Sequence, residues 1–161
     1  MVSNKFFDKK IKIGLGILIL LIILNIIVLV FNSAKKPILE YLTANVIINN
    51  KLIKTELATT FSQQYLGLSN RQTLCADCGM LFVFSDFDER EFVMRDMNFP
   101  LDIIFISRGK IINISENLKP EGSNPTYIYK SIAPADMVLE VPGGYAKKQG
   151  IKVGDLVSVN K

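Results

Sequence analysis

Gly79 to Ile106 reads GMLFVFSDFDEREFVMRDMNFPLDIIFI. Met80 to Phe84 is an apolar run of strand length, bounded on its far side by polar residues. Ser85 to Arg90 is polar and reads as a turn. Glu91 to Met97 alternates loosely. In a strand it puts Phe92, Met94 and Asp96 on one face and Val93, Arg95 and Met97 on the other. Asn98-Phe99-Pro100 breaks that run, because proline lacks an N–H and restrains the residue before it. Leu101 to Ile106 is a further strand, apolar on both faces apart from Asp102. Three strands punctuated by turns in so short a span point to β architecture.

The same punctuation runs outward in both directions. Asn45 to Ile48 and Lys51 to Ile53 flank Asn49-Asn50, a two-residue hairpin turn, since Asn tolerates positive φ. Thr59 or Thr60 caps a short helix through about Leu68, with Phe61, Tyr65 and Leu68 at helical spacing. Ser107-Arg108-Gly109 turns the chain into a strand over Lys110 to Ile114. Glu116 to Lys130, carrying Pro120, Gly122, Asn124 and Pro125, reads as a long loop. Met137 to Val141 is a strand, Pro142-Gly143-Gly144 opens a helical turn ended by Gly150, and Asp155 to Val159 is the last strand. The expected fold is mainly β, a compact sandwich or barrel-like domain with one or two short helices.

Before this domain stands a different kind of segment. Of the 19 residues from Ile13 to Phe31, 16 are Ile, Leu, Val or Phe. As a helix at ~1.5 Å per residue it is about 28 Å long, close to a hydrocarbon core. Each large apolar residue contributes roughly −0.3 to −0.6 kcal/mol to insertion, about −5 to −9 in sum, which the single Asn25 does not cancel. A cleaved signal peptide has a shorter apolar region, and Asn32-Ser33-Ala34 is a poor cleavage site. Four lysines precede the segment and two follow it, which favours a cytoplasmic N-terminus. The expected organisation is a cytoplasmic stretch over 1–12, a single transmembrane helix over 13–31 that partners the lipid bilayer, a linker over 32–42, and an extracytoplasmic domain over 43–161.

Charge and composition exclude several functions. The net charge of +4 belongs to the N-terminal arm, because residues 37–161 carry 13 basic and 14 acidic groups. A domain without basic excess has no nucleic-acid footprint. The chain contains 0 histidines, which rules out Ser-His-Asp and Cys-His nucleophile pairs within it and every histidine metal site. Nothing in it calls for a cofactor.

Asp102 is the anomaly of the central stretch. A carboxylate between Leu101 and Ile103 needs hydrogen bonds or a cation, or else it stays protonated. Arg71, Arg90 and Arg95 are candidate partners. One reading is a structural Asp tying a strand end to a neighbouring loop, and the other is a cleft carboxylate. Met80, Met94 and Met97 read as core filling or as a soft ligand patch. The Asp86, Asp88, Glu89 and Glu91 cluster lacks the order of a calcium loop. Cys75-Ala-Asp-Cys78 admits four readings: a short disulfide worth roughly 2 kcal/mol, thiol exchange without the usual βαβ context, half of a zinc site completed by a second chain, or two free thiols.

Several blocks in order resemble the domain of unknown function 192 family over most of residues 45–158. They are Ala58-Thr59-Thr60, Gly67-Leu68 with Arg71, Gly79 to Phe84, Met94, Pro100 to Ile106, Glu116-Asn117 with Pro120, Val138 to Gly144, and Gly154-Asp155. The resemblance implies a compact, mainly β domain, often exported or anchored in bacteria and archaea, with no established activity. Two positions depart from the family pattern: Val93 stands where Trp is usual and Asp96 where Asn is usual. The expected function is a membrane-anchored binding or accessory module for an envelope component, a small molecule or a partner protein. Its cleft would be built from Arg71, Met94, Asp96 and Asp102, with the 116–130 loop at the rim. Two alternatives stand beside it. One is a hydrolase or lyase with Asp102 or Asp96 as base and Glu116 as acid. The other is thiol–disulfide exchange through Cys75 and Cys78.

Overall fold

The structure, a computed structural model, describes residues 16–28 and 40–160. Residues 16–28 form helix α1, whose large apolar side chains are exposed. Asn25 satisfies its own amide by donating Nδ2 to the Leu21 carbonyl at 3.0 Å. The outer parts of the expected transmembrane segment, 13–15 and 29–31, lie outside the described residues, as do the expected cytoplasmic stretch and most of the expected linker. No described helix is long and apolar enough to cross a membrane.

The second unit, Glu40–Lys161, holds the β domain. Strand β1 (Leu42–Ile48) returns as β2 (Lys51–Ala58), in register from Leu42↔Leu57 to Ile48↔Lys51. Asn49 and Asn50 make the turn at φ 50 and 63, the pair of positive values that matches strand twist. Helix α2 (Phe61–Leu66) then carries the chain across so that β3 (Cys78–Asp88) lies parallel to β2, a crossover no tight turn can make. Strand β4 (Glu91–Phe92) pairs apart from the main sheet with β7 (Tyr129–Lys130). The hairpin of β5 (Leu101–Ser107) and β6 (Lys110–Leu118) turns at Arg108-Gly109. Strand β8 (Ala135–Pro142) fills the gap between β3 and β5. Helix α3 (Tyr145–Gln149) follows, and β9 (Val157–Asn160) joins β1.

The seven strands form one sheet in the order β6-β5-β8-β3-β2-β1-β9. This sheet curls until its edges meet. Lys110 at the start of β6 bridges Leu156, and the Val157 N–H donates to the Gly109 carbonyl at 2.8 Å. The domain is therefore mainly β and barrel-like, and the sandwich expectation is set aside because one sheet supplies both sides of the interior. Val46, Ile53, Leu81, Ile104 and Leu139 fill that interior, with Ala146 of α3 at its end. Opposite residues of β3, β5 and β8 build a second core outside the sheet from Met80, Phe82, Ile103, Phe105 and Val138. Full burial of side chains this large contributes about 1.5–3 kcal/mol each. Both faces of the central strands are thus apolar.

Three local expectations need correction. Thr60 does cap α2, in a box with Gln63, but Phe61 and Tyr65 are 82% and 63% exposed. Gln63 takes the inward position instead and donates Nε2 to the Glu40 carbonyl at 2.8 Å, which turns the two aromatic rings outward to stack on each other. The strand expected through Met97 stops at Phe92. Asp96 sits at φ 52, and backbone groups of this segment bond to Asn70, Glu121 and Gly122 rather than to a ladder. Strand β6 runs on to Leu118, so Glu116 lies on a strand and not in a loop.

Candidate functional site

Strand β8 alternates strictly. Leu139 and Val141 point into the barrel, whereas Val138 and Glu140 point into the outer core. Glu140 stands between Met80 of β3 and Ile103 of β5, both fully buried. It is 5% exposed, and its Oε2 has no hydrogen-bond partner among the described residues. Burial pushes its pKa up to about 8, with Arg71 the only charge acting in the other direction. The carboxyl is therefore protonated at neutral pH and carries an O–H.

Above Glu140 lies a pocket of about 230 Å³, lined by Phe82, Phe84, Phe92, Leu68, Val93 and Met97 among others. Phe92 meets Phe82 edge-on, with centroids 4.9 Å apart. The turn after α2 forms one wall through Gly67, whose φ of 52 and ψ of −133 suit glycine alone. A Cβ there would sit 3.3 Å from the Phe82 ring and 3.9 Å from Glu140 Oε2, so the bare backbone keeps space above the carboxyl. Arg95 also lines the pocket. Its guanidinium lies 4.1 Å over the Tyr65 ring, and its Nη2 donates to the Tyr65 carbonyl at 2.7 Å. Glu91, at the same pocket, is held by Lys130 at 2.6 Å. The arrangement is a hollow with an apolar floor in which Glu140 is the one buried polar side chain, while Gln64, Tyr65, Ser69, Glu91 and Arg95 lie on its more exposed walls.

The residues singled out from the sequence do not converge. Asp102 is 0% exposed, and its carboxylate is taken up by backbone. Oδ1 accepts from the N–H of Asn117 and of Gly144 at 2.7 and 2.8 Å, and Oδ2 from that of Ala146 at 2.8 Å. It ties the start of β5 to α3 and to β6, which is the structural reading. No arginine pairs with it. Met94 is buried in the outer core, and Asp96 belongs to a turn bonded to Asn70 and Gly122. Glu116 is exposed on β6. Arg71 grips Glu56 with two bonds of 2.6 Å, and those bonds hold the Glu56 carboxyl below its usual range.

Arg71 and Glu56 line a different hollow, of about 510 Å³, together with Thr43, Lys54, Cys75 and Cys78. The two cysteines are joined as a disulfide across a turn in which the Cys78 N–H donates to the Cys75 carbonyl. This fits the short-disulfide reading and not free thiols; it is equally the oxidised state of an exchanging pair. Beside it, the Tyr145 hydroxyl donates to Asp77 at 3.2 Å.

Glu140 was not singled out from the sequence, although it bears the same mark as Asp102. It is an acidic residue within an apolar strand, here Met137 to Val141.

The family described as DUF192, "Uncharacterized ACR", matches residues 44–159, which takes in β1 through nearly all of β9. The chain belongs to the DUF192 family. Two solved structures share its fold. One is a putative transcription regulator (R01717) from Sinorhizobium meliloti 1021, 31% identical, covering 75% of this chain and 96% of that one at a TM-score of 0.68. The other is a protein of unknown function from Novosphingobium aromaticivorans DSM 12444, 34% identical, covering 78% and 91% at a TM-score of 0.66. No curated protein matches. The family and these neighbours establish no specific activity for a DUF192 domain. Val93 lines the pocket over Glu140.

Proposed function

We propose that this DUF192 domain is a binding module, tethered to a membrane by the apolar segment over 13–31 and displayed outside the cytoplasm, whose ligand enters the pocket over Glu140. One observation carries the binding reading: a buried carboxyl oxygen without a partner faces a hollow with an apolar lining. Buried polar groups are nearly always paired, with protein, ordered water or a ligand, and Glu140 is the one such group at this hollow. Ligand pockets are typically apolar with a few placed polar groups, as here. The tether rests on the length and hydropathy of 13–31, and the orientation on the lysines before it. The near-balanced charge of 37–161 does not favour nucleic acid, so the regulator title of the Sinorhizobium protein is not extended to this chain.

The test compares the wild-type chain with Val93→Trp, which fills the pocket from its rim. A small-molecule extract of the cell envelope should raise the melting temperature of the wild type only. A ligand at ten times its Kd adds about 1.4 kcal/mol, a shift of several degrees for a domain this size. Equal shifts in both chains, or none in either, would place the site elsewhere. The tether is tested separately: an alkaline wash should leave the chain in the membrane, and protease added from outside should remove the domain.

A further inference from the structure

Resting on that reading of the pocket, we infer that its ligand is a single-ring organic molecule without positive charge that presents one hydrogen-bond acceptor to Glu140. Size sets the ring count. An apolar cavity of about 150 Å³ accepts benzene, so about 230 Å³ holds one ring with a short substituent.

The lining sets the polarity. Phe82, Phe84, Phe92, Leu68 and Met97 offer no hydrogen bonds from their side chains. Two polar side chains nearby are already engaged. Gln64 donates to the Ala58 and Val83 carbonyls, and Ser69 donates to that of Arg95. A sugar would bury several hydroxyls here with too few partners, and each unpaired one opposes binding. A single acceptor, by contrast, meets the one polar side chain on the buried floor, because the remaining donors of Arg95 and Tyr65 lie at the more exposed rim.

Charge removes the organic cation. Aromatic faces that an ammonium would seek are already taken: Arg95 at the rim lies over Tyr65, and Arg90, outside the pocket, lies 3.9 Å over the Phe84 ring. The one carboxylate at the rim, Glu91, is bound to Lys130. The charge that acts on Glu140 itself is Arg71, which is held by Glu56 through two hydrogen bonds. An entering cation would have to ionise Glu140 in an apolar wall while passing these guanidinium groups.

The experiment uses the full chain in lipid nanodiscs with methyl-labelled methionine. Met97 is the methionine that lines the pocket, so its methyl signal reports occupancy. Four probes are titrated: benzamide, toluene, benzylamine and N-acetylglucosamine. Benzamide should move the Met97 signal with the lowest Kd at pH 6.5. Its Kd should rise at least tenfold at pH 9.5, where Glu140 no longer has a proton to donate. In Glu140→Gln, whose amide donates at either pH, benzamide should bind equally at both. Toluene should bind more weakly and without pH dependence. Equal binding of toluene and benzamide, or the absence of a pH effect, would overturn the acceptor. Tighter binding of benzylamine or N-acetylglucosamine would overturn the ligand class while leaving the pocket as the site. Silence of the Met97 signal to all four probes would overturn both the ligand class and the pocket.

Discussion

Changing pH around Glu140 gives a prediction whose size follows from the structure. In the unfolded chain this carboxyl titrates near 4.5, and in the fold burial lifts it to about 8. Between those values the folded state holds a proton that the unfolded state has released. The stability linked to Glu140 is therefore full below pH 4.5 and is lost as pH rises towards about 8. At ~1.36 kcal/mol per pH unit the whole span has a ceiling of about 5 kcal/mol. Roughly 3 kcal/mol of that ceiling falls between pH 5.5 and 9. Water entering the pocket as Glu140 ionises lowers it, so a loss of about 2 kcal/mol is expected across that window. The window also avoids other shifted groups. Glu56 and Asp86 are held below the usual carboxylate range, and Tyr145 is pushed up to about 12. Urea titrations followed by circular dichroism, at pH 5.5, 7 and 9, read the effect directly. With an m-value of about 1–3 kcal/mol/M, the wild-type midpoint should fall by roughly 0.7–2 M from pH 5.5 to 9. Glu140→Gln should show a nearly flat profile and be the more stable chain at pH 9. Parallel profiles for the two chains would refute the claim that Glu140 is buried and neutral.

Asp102→Asn should destabilise the domain by about 3 kcal/mol in the same titration at pH 7. The new amide nitrogen faces a backbone N–H in place of an acceptor, and bonds to a charged group are worth about 1.5–3 kcal/mol each. A loss under 1 kcal/mol would mean that these three bonds do not hold α3 to the sheet. Cys75→Ser should cost only about 2 kcal/mol, because the loop it opens is short. It should also leave the pH profile of Glu140 unchanged, since the disulfide lines the other hollow; a changed profile would couple the two hollows.

How much of this was legible in the sequence depends on which physical signal was local. Asn49-Asn50 could be read because positive φ at both turn positions is a property of the residues themselves. The helix cap could be narrowed to Thr59 or Thr60, because a hydroxyl before the first turn is a local signal, and it is Thr60. The outward rotation of Phe61 and Tyr65 could not, because it follows from Gln63 reaching the Glu40 carbonyl, a contact between segments distant in sequence. Asp102 stood out as acidic among aliphatic residues, but its partners are three N–H groups from β6 and α3, which no spacing announces. Glu140 carried the same signal with the opposite outcome. One buried carboxyl found donors and became structural, and the other found none and was left facing a hollow. That difference arises only when the strands are in register.

The first and last strands of the domain, β1 and β9, are neighbours, and the ring is completed only by the bridge from Lys110 to Leu156 with the few main-chain bonds beside it. Such long-range closure makes folding slow compared with helical proteins. While a nascent chain is still emerging, residues 42–48 have one permanent neighbour and wait for the other, so an open template edge is exposed to its surroundings. This join is also the natural place for the finished domain to breathe, and amide exchange should begin there, at Ile111 and Val157, well before it reaches the centre of β8.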